Sequence, residues 1–265
     1  MTIELTPLAK SILEARYLLK NENGEVIESP EEMLARVVQH VSQVNRKRMN
    51  AREFREYKEN ILQMLVHLDF LPNSPTLMNA GTMVGQLSAC FVLPVEDSID
   101  GIFDAVKNMA KIHKSGGGTG FSFSALRPKG DIIKSTMGES SGPLSFMNVF
   151  DSTTSAITQG GRRRGANMGI MNVNHPDIEA FISAKEKLKL LQNFNLSVAV
   201  TDEFIESVKN NSSFNLINPR NQKIESKVNA NALFDSIAKA AWTCGDPGLI
   251  FIDEINRKNP TPALG

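Results

Sequence analysis

Cysteine is nearly absent: Cys90 and Cys244 are the only two in 265 residues. Far apart in the chain, they offer neither a disulfide framework nor a local zinc-ligand pattern. A reducing, cytoplasmic compartment is the setting they imply. Aromatic residues make up 6%, with one Trp and two Tyr, too few to build a stacking platform for single-stranded nucleic acid. Excess charge is also missing. Lys and Arg total 29 against 29 Asp and Glu, for a formal net charge of +0, which argues against a chain held on nucleic acid by phosphate neutralisation. No apolar run is long enough to span a bilayer, so no membrane association is expected. The opening MTIELTPLAKSILEARYLL carries Glu4 and Glu14 and lacks both a basic n-region and a small-residue cleavage site, which argues against a secretory leader. What the chain does have is 41% hydrophobic and 22% charged residues. That suffices for one large α/β domain, or a helical domain joined to a larger one, without a disulfide or structural metal.

Residues 1–71 read as helical. Apolar positions recur at helical spacing through Leu8, Ile12 and Leu13, then Met33, Leu34, Val37 and Val38, and Ser29-Pro30-Glu31-Glu32 supplies a helix start. A third helix is expected near Phe54 to Leu68, stopped by Pro72 and Pro75, which places a domain boundary there. Residues 72–265 alternate strand and helix. The strand candidates are Leu87 to Val95, Phe121 to Ser124, Met168 to Val173, Phe194 to Thr201 and Leu249 to Asp253. The helix candidates are Ile99 to Ile112, Leu144 to Ile157, Asp177 to Leu191, Glu203 to Val208 and Asn231 to Trp242. This order predicts a parallel sheet with crossover helices, and such sheets carry their chemistry on loops at the strand carboxyl ends.

Two glycine clusters stand out, each after a helix and before a strand. Ser115-Gly116-Gly117-Gly118-Thr119-Gly120 lets backbone N–H groups approach a phosphate, sugar or base. It is neither a Walker loop nor a dinucleotide fingerprint, and a tight connection without a ligand is an equal alternative. Gln159-Gly160-Gly161-Arg162-Arg163-Arg164-Gly165-Ala166-Asn167 is a cationic loop suited to phosphate pairing or to stacking on a base; a solvated surface turn is the other reading. Cys90, taken alone in an apolar strand-like run, reads as a buried inert thiol, and Cys244 as incidental. Glu96-Asp97 reads as a helix cap. His40, His67, His113 and His175 are scattered, with no helical metal pair, and read as surface or satisfied core residues. No metal site is expected.

Several segments, taken in order, resemble the large catalytic chain of ribonucleotide reductases, and among these the adenosylcobalamin-dependent class. They are Asn73-Ser74-Pro75-Thr76-Leu77-Met78-Asn79-Ala80-Gly81, Ser88-Ala89-Cys90-Phe91-Val92-Leu93-Pro94, Lys114 to Ser124, Gln159 to Met168, Asn193 to Asp202 and Gly245 to Asp253. The resemblance implies a helical N-terminal region followed by the first half, about five parallel strands, of a ten-stranded α/β barrel. It also implies a reaction. A cobalamin-derived radical generates a thiyl radical on a cysteine, which takes the 3′ hydrogen of a ribonucleotide; a cysteine pair then gives two electrons as the 2′ hydroxyl leaves as water.

By the same resemblance, Cys90 is one of the reducing pair and must be accessible. Thr76, Ser88, Ala89, Gly117, Gly118 and Arg163 fall at substrate positions. Asp97 and Arg127 fall at positions for a deoxynucleoside triphosphate effector. Gln159, Gly160, Gly161, Arg162, Arg164, Gly165, Ala166 and Asn167 belong to the loop that relays effector identity to the substrate base. A homodimer through Ile99 to Ile112 and a thioredoxin-like or dithiol reductant are implied as partners. In the family an Asn-Pro-Cys-Gly-Glu loop carrying the radical cysteine follows soon after the region matching Asn259-Pro260-Thr261-Pro262. The expectation is therefore an N-terminal portion, inactive alone, completed by a C-terminal half or second chain. Two other readings remain: a non-catalytic nucleotide-binding partner of a full-length reductase, and the large chain of a reductase with a separate radical-generating subunit.

Overall fold

The computed structural model describes residues 3–133, 137–158, 165–188 and 191–264. The chain divides into two compact units, Met1–Cys90 with Ser115–Gly117, and Phe91–Lys114 with Gly118–Gly265.

In the first unit each helix starts where a polar side chain can satisfy free N–H groups. Helix α1 (Pro7–Arg16) is capped by Thr6, whose hydroxyl accepts from the Ala9 N–H. Helix α2 (Pro30–Ser42) opens with a reciprocal capping box between Ser29 and Glu32, as the sequence motif requires. After a 3-10 turn at Gln43–Arg48, α3 (Ala51–Val66) repeats the device with Asn50 and Glu53. Helix α4 (Ser74–Asn79) is capped by Asn73. Met33, Leu34, Val37 and Val38 of α2 bury against Leu18, Leu65, Leu77 and Ala80. The core of this unit thus draws on residues beyond the 71/72 boundary placed from the sequence.

The second unit is built on a five-stranded sheet in the order β1-β2-β5-β6-β9. Strand β1 (Cys90–Val92) leads through α5 (Ile99–Lys114) to β2 (Gly118–Ser122). Then come the small hairpin β3 (Ile132–Ile133) and β4 (Gly138–Glu139), α6 (Pro143–Thr158) and β5 (Asn167–Asn172). Next are α7 (Ile178–Ile182), α8 (Ala184–Leu188) and β6 (Phe194–Val200). Helix α9 (Asp202–Lys209), the hairpin β7 (Ser213–Ile217) and β8 (Ile224–Asn229), α10 (Ala230–Cys244), β9 (Gly248–Phe251) and α11 (Ile252–Arg257) complete the order. Strands β2 and β5, β5 and β6, and β6 and β9 pair in parallel, with Thr119 opposite Asn167 and Gly169 opposite Leu196. A parallel strand needs cover on both faces, and in β6 every residue except Asn195 is buried.

All five strand candidates therefore form the sheet, β1 being shorter than its apolar run. The expected helix from Asp177 to Leu191 is instead two short helices, α7 and α8. The Ser183 hydroxyl between them donates to the Glu179 carbonyl at 3.1 Å, a local bond that competes with helix continuation. Helix α10 ends on Gly245, at φ 84, whose N–H donates to the Ala241 carbonyl. Glycine takes this left-handed position without a Cβ clash.

Phe121, Phe123, Phe150 and Phe194 form a closed aromatic group under the sheet. The Phe150 ring meets Phe121 edge-on at 4.8 Å and Phe123 at 5.4 Å. Phe150 has no exposed surface, so Phe150→Ala should cost roughly 3–5 kcal/mol through lost burial and a cavity. Urea denaturation followed by far-UV circular dichroism checks this, and a loss under about 1 kcal/mol would show that the group can collapse into the gap.

Candidate functional site

In the helical unit, three stretches with expected substrate positions are tied together by side-chain hydrogen bonds to backbone. The Thr76 hydroxyl on α4 donates to the Leu87 carbonyl at 3.1 Å. Asn79 Nδ2 donates to the Gln86 carbonyl at 2.9 Å and to the Ser115 carbonyl at 3.5 Å. Thr76, the Ser88-Ala89-Cys90 run and Gly117 are thus brought into one neighbourhood. The anchor beneath α4 was not singled out from sequence. Arg36 pairs with Glu28 at 2.7 Å, the two side chains being only 13% and 6% exposed. The same guanidinium donates to the carbonyls of Leu77, at 3.2 Å, and Ala80, at 2.5 Å. A fork of donors can close a short helix in this way because its last carbonyls have no intrahelical partner.

Cys90 is exposed, which overturns the reading of it as a buried thiol. Its strand lies at the edge of the sheet order, so among the described residues one flank has no neighbouring strand. Cys244 is also exposed, its thiol donating to the carbonyls of Ala240 at 3.3 Å and Asp246 at 3.4 Å. Gly118 opens β2. Gln159, Gly160, Gly161, Arg162, Arg163 and Arg164 lie outside the described residues. Of that cluster Gly165 and Asn167 are buried and Ala166 is exposed.

In the second unit Asp97 follows β1 and Arg127 follows β2, both past the carboxyl ends of their strands. Arg127 grips the carboxylate through Nε, at 2.9 Å to Oδ2 and 3.1 Å to Oδ1, and through its backbone N–H at 3.2 Å. Asp97 is therefore not the cap of α5. That role falls to Ser98, whose hydroxyl accepts from the Gly101 N–H at 3.0 Å, and it leaves Asp97 to face Arg127. The pair lines a cavity of about 760 Å³ together with Glu139, Ser140 and Arg220. Nucleotide-sized ligands occupy clefts of this order.

Arg220 sits between β7 and β8, a hairpin the sequence reading did not place, and no local motif marks it. Its guanidinium meets Asp131 at 2.8 Å from Nε and 2.6 Å from Nη2. That contact, with help from Asn218 and the Ile132 N–H, holds the Asp131 carboxyl down to about 2 against the penalty of burial. The cavity therefore carries two guanidinium groups, each steadied by its own carboxylate, a donor set suited to phosphate oxygens. Among the described residues no group of three or more His, Cys, Asp and Glu could hold a metal ion. Nor, among them, is any helix long and apolar enough to cross a membrane.

The histidines divide. His175 is a satisfied core residue: Nε2 lies 2.9 Å from the Leu126 carbonyl, and Nδ1 accepts from the Asp177 N–H at 3.0 Å. His113 departs from the expectation, since its Nε2 is bonded but its buried Nδ1 has no partner.

A cysteine on an edge strand beside a braced glycine run, and an arginine-lined cavity past the carboxyl ends of a parallel sheet, describe an α/β chain with an accessible thiol and a cavity suited to anions. Residues 88–265 match the model for the ribonucleotide reductase barrel domain, and residues 3–85 that for the ribonucleotide reductase all-alpha domain. The chain belongs to the ribonucleotide reductase family. It is 47% identical to the vitamin B12-dependent ribonucleoside-diphosphate reductase of Thermoplasma acidophilum, over 99% of this chain and 41% of that one. With the enzyme of the same name from Mycobacterium tuberculosis H37Rv it shares 46%, over 99% and 37%. With the ribonucleoside-diphosphate reductase large subunit of Vaccinia virus it shares 30%, over 96% and 35%. The chain thus spans about two fifths of the length of the curated relatives it matches.

The depressed Asp131 value fixes a sign. Its pairing contributes stability that is complete above about pH 4, the ordinary carboxylate value, and is lost as the pH falls toward about 2. Arg220→Met should raise the Asp131 midpoint toward the ordinary value. Carbon-13 carboxyl titration measures it, and an unmoved midpoint would assign the depression to Asn218 and the backbone.

Proposed function

We propose that this chain is the substrate- and effector-reading portion of an adenosylcobalamin-dependent ribonucleotide reductase. The observation that carries the reading is the exposed Cys90 thiol, next to Ser88 and Ala89, in a segment braced by Thr76 and Asn79. A thiol that must reach a ribose and then a reductant has to be accessible. Cys90 supplies one of two thiols. As the 2′ hydroxyl leaves as water, the pair gives up two electrons and two protons and closes to a disulfide, and the ribonucleotide becomes a deoxyribonucleotide. A dithiol or thioredoxin-like reductant reopens the disulfide.

Adenosylcobalamin, when bound, supplies the radical that starts the reaction. The described cavity of the second unit sets the charged Asp97, Arg127, Glu139 and Arg220 among Ile99, Ile102, Leu126, Ile133 and Phe146, whereas a corrin ring needs a broad apolar face uninterrupted by charge, so no residue of this chain is assigned to hold it. Preference for the cobalamin class rests on the names of the relatives with higher identity. Backbone groups at Gly117 and Gly118 and the Thr76 segment orient the ribose and base. Ser88 and Ala89 seat the sugar beside the thiol, and Arg163 contacts the base.

The Asp97, Arg127 and Arg220 cavity takes a deoxynucleoside triphosphate, with Asp97 accepting from the sugar hydroxyl and the guanidinium groups meeting the phosphates. Gln159, Gly160, Gly161, Arg162, Arg164, Gly165, Ala166 and Asn167 report which deoxynucleotide is bound. Helix α5 presents Ile99 at 61% and Phe103 at 49% exposure, an apolar face for a second copy of the chain. A cytoplasmic setting suits two exposed, unbridged cysteines.

In the assembled reductase containing this chain, Cys90→Ser should abolish multiple turnover with dithiol while nucleotide binding is kept. Product formation per enzyme over time checks this, and wild-type turnover would remove Cys90 from the mechanism. Asp97→Ala should weaken deoxynucleoside triphosphate binding about tenfold or more, as expected for loss of a charge-assisted bond and of the brace on Arg127. Calorimetry reads the change, and unaltered affinity would move the effector elsewhere.

A further inference from the structure

A buried polar chain crosses the amino ends of β2 and β5. His113, in the last turn of α5, is 4% exposed, and its Nε2 lies 3.0 Å from the Thr119 hydroxyl. That hydroxyl lies 2.7 Å from Asn167 Oδ1, and Asn167 Nδ2 lies 2.8 Å from the Thr154 hydroxyl on α6. The Thr154 hydroxyl in turn donates to the Phe150 carbonyl at 2.8 Å.

Each proton follows from the next. With Thr154 donating to Phe150, the Asn167 amide donates to Thr154 and Thr119 donates to the Asn167 carbonyl oxygen. The Thr119 oxygen then accepts from His113 Nε2–H. His113 Nδ1 is left as a bare acceptor, buried and unpartnered. Burial, outweighing the opposing contact with the Ala166 backbone, pushes the ring's pKa below its ordinary value and so favours the neutral form.

Against this ring lies Gly165, the residue that follows the three arginines in sequence. A Cβ there would stand 2.7 Å from Nδ1 and 3.1 Å from two ring carbons. Only glycine lets the main chain pass so close to the imidazole. The ring is therefore the surface on which the returning loop backbone rests. Thr119, directly after Gly118, is linked both to the ring and, through its N–H at 3.1 Å, to the Ala166 carbonyl.

We propose that His113 is a positioning residue for base selection, its ring seating Gly165 and its hydrogen-bond chain coupling that seat to Thr119 and Gly118 on β2. This rests on the reading above, in which the loop reports effector identity and Gly118 contacts substrate. His113 itself touches neither nucleotide. Its part is to make the loop's return point and the start of β2 move as one body.

The test uses His113→Gln, whose amide reaches Thr119 but places no atom at the Nδ1 position, with Gly165→Ala as an independent displacement of the same contact. Two measurements on this chain stand apart from activity. Nitrogen-15 NMR should find the His113 proton on Nε2, and a proton on Nδ1 would overturn the proposal. Amide exchange at Gly165 to Asn167 should quicken about tenfold in His113→Gln, while amides around Phe150 stay protected. Unchanged exchange would also overturn it.

In the assembled reductase the effector-driven preference among substrate bases should fall about fivefold or more in both variants, and in His113→Gln kcat on the unstimulated substrate should stay within about twofold of wild type. If the wild type switches preference with effector and His113→Gln switches equally well, His113 has no part in selection and the functional reading stands. If the wild type reduces no ribonucleotide, or ignores effectors, that reading fails and the coupling role fails with it. The tautomer and exchange results then still decide whether Gly165 is seated on the ring.

Discussion

One rung of a parallel ladder sets the terms for the α/β unit: Thr119 on β2 facing Asn167 on β5, 2.7 Å apart from hydroxyl to amide oxygen. Both side chains are buried, and buried polar atoms must find partners or cost more than they contribute. Asn167 finds its second partner in Thr154 on α6, and Thr119 finds its own in His113 on α5. Satisfying this rung thus binds α5 and α6 to the strands that follow them, β2 and β5. Thr154 also reaches Met109 Sδ on α5 at 3.6 Å, which joins the two helices directly. Apolar packing below, around Phe121, Phe123 and Phe150, supplies burial energy and, through the alternating burial of β5, resists a one-residue slip. The polar chain adds to this, because such a slip would also carry Asn167 out of reach of Thr119 and Thr154.

From that register the division of the sheet's two ends follows. Helix-to-strand connections enter at the amino ends, and here they lead into Gly118 on β2 and Asn167 on β5. Strand-to-helix loops leave at the carboxyl ends, where Asp97, Arg127 and the Asp131–Arg220 clamp gather. The general expectation that parallel sheets carry chemistry at their carboxyl ends therefore covers the arginine-lined cavity and not the glycine clusters. Gly118 and Asn167 lie at the opposite end, where β2 and β5 begin. The rung at Thr119 and Asn167 lies at that end, tied to α5 through His113 and to α6 through Thr154.

Much of the fold was legible because parallel strands buried on both faces read as short apolar runs and crossover helices as 3.6-residue periodicity. Capping was legible for α2 because Ser29 and Glu32 are local in sequence. The hairpins were less so. Strand β8 is almost wholly exposed and shows no apolar face, although the alternation of Phe214 and Leu216 in β7 was a signal that could have been used. Arg220 and Arg36 lacked any local mark, since each acquires its role from groups tens of residues away, Asp131 for Arg220 and the Leu77 and Ala80 carbonyls for Arg36. Asp97 was misread from its residues alone because Ser98 beside it is an equally good cap. Only the long-range contact with Arg127 decides which of the two does the capping.

Cys90 and His113 show the limit of composition-based rules from opposite sides. An apolar strand-like run predicts that the thiol is buried, yet β1 is an edge strand and leaves the sulfur exposed. A scattered histidine predicts a satisfied side chain, yet His113 is buried with one nitrogen unmet. Hydrophobicity reports what a segment can bury on average. It does not report which edge of a sheet lacks a neighbour, or which ring nitrogen faces a glycine. Cys90 falls in a segment whose resemblance to ribonucleotide reductases pointed to chemistry, and His113 directly precedes another, Lys114 to Ser124. That is where a fold tolerates an exposed thiol or an unmet acceptor, since each carries a local cost that packing elsewhere, here the aromatic group around Phe150, must offset.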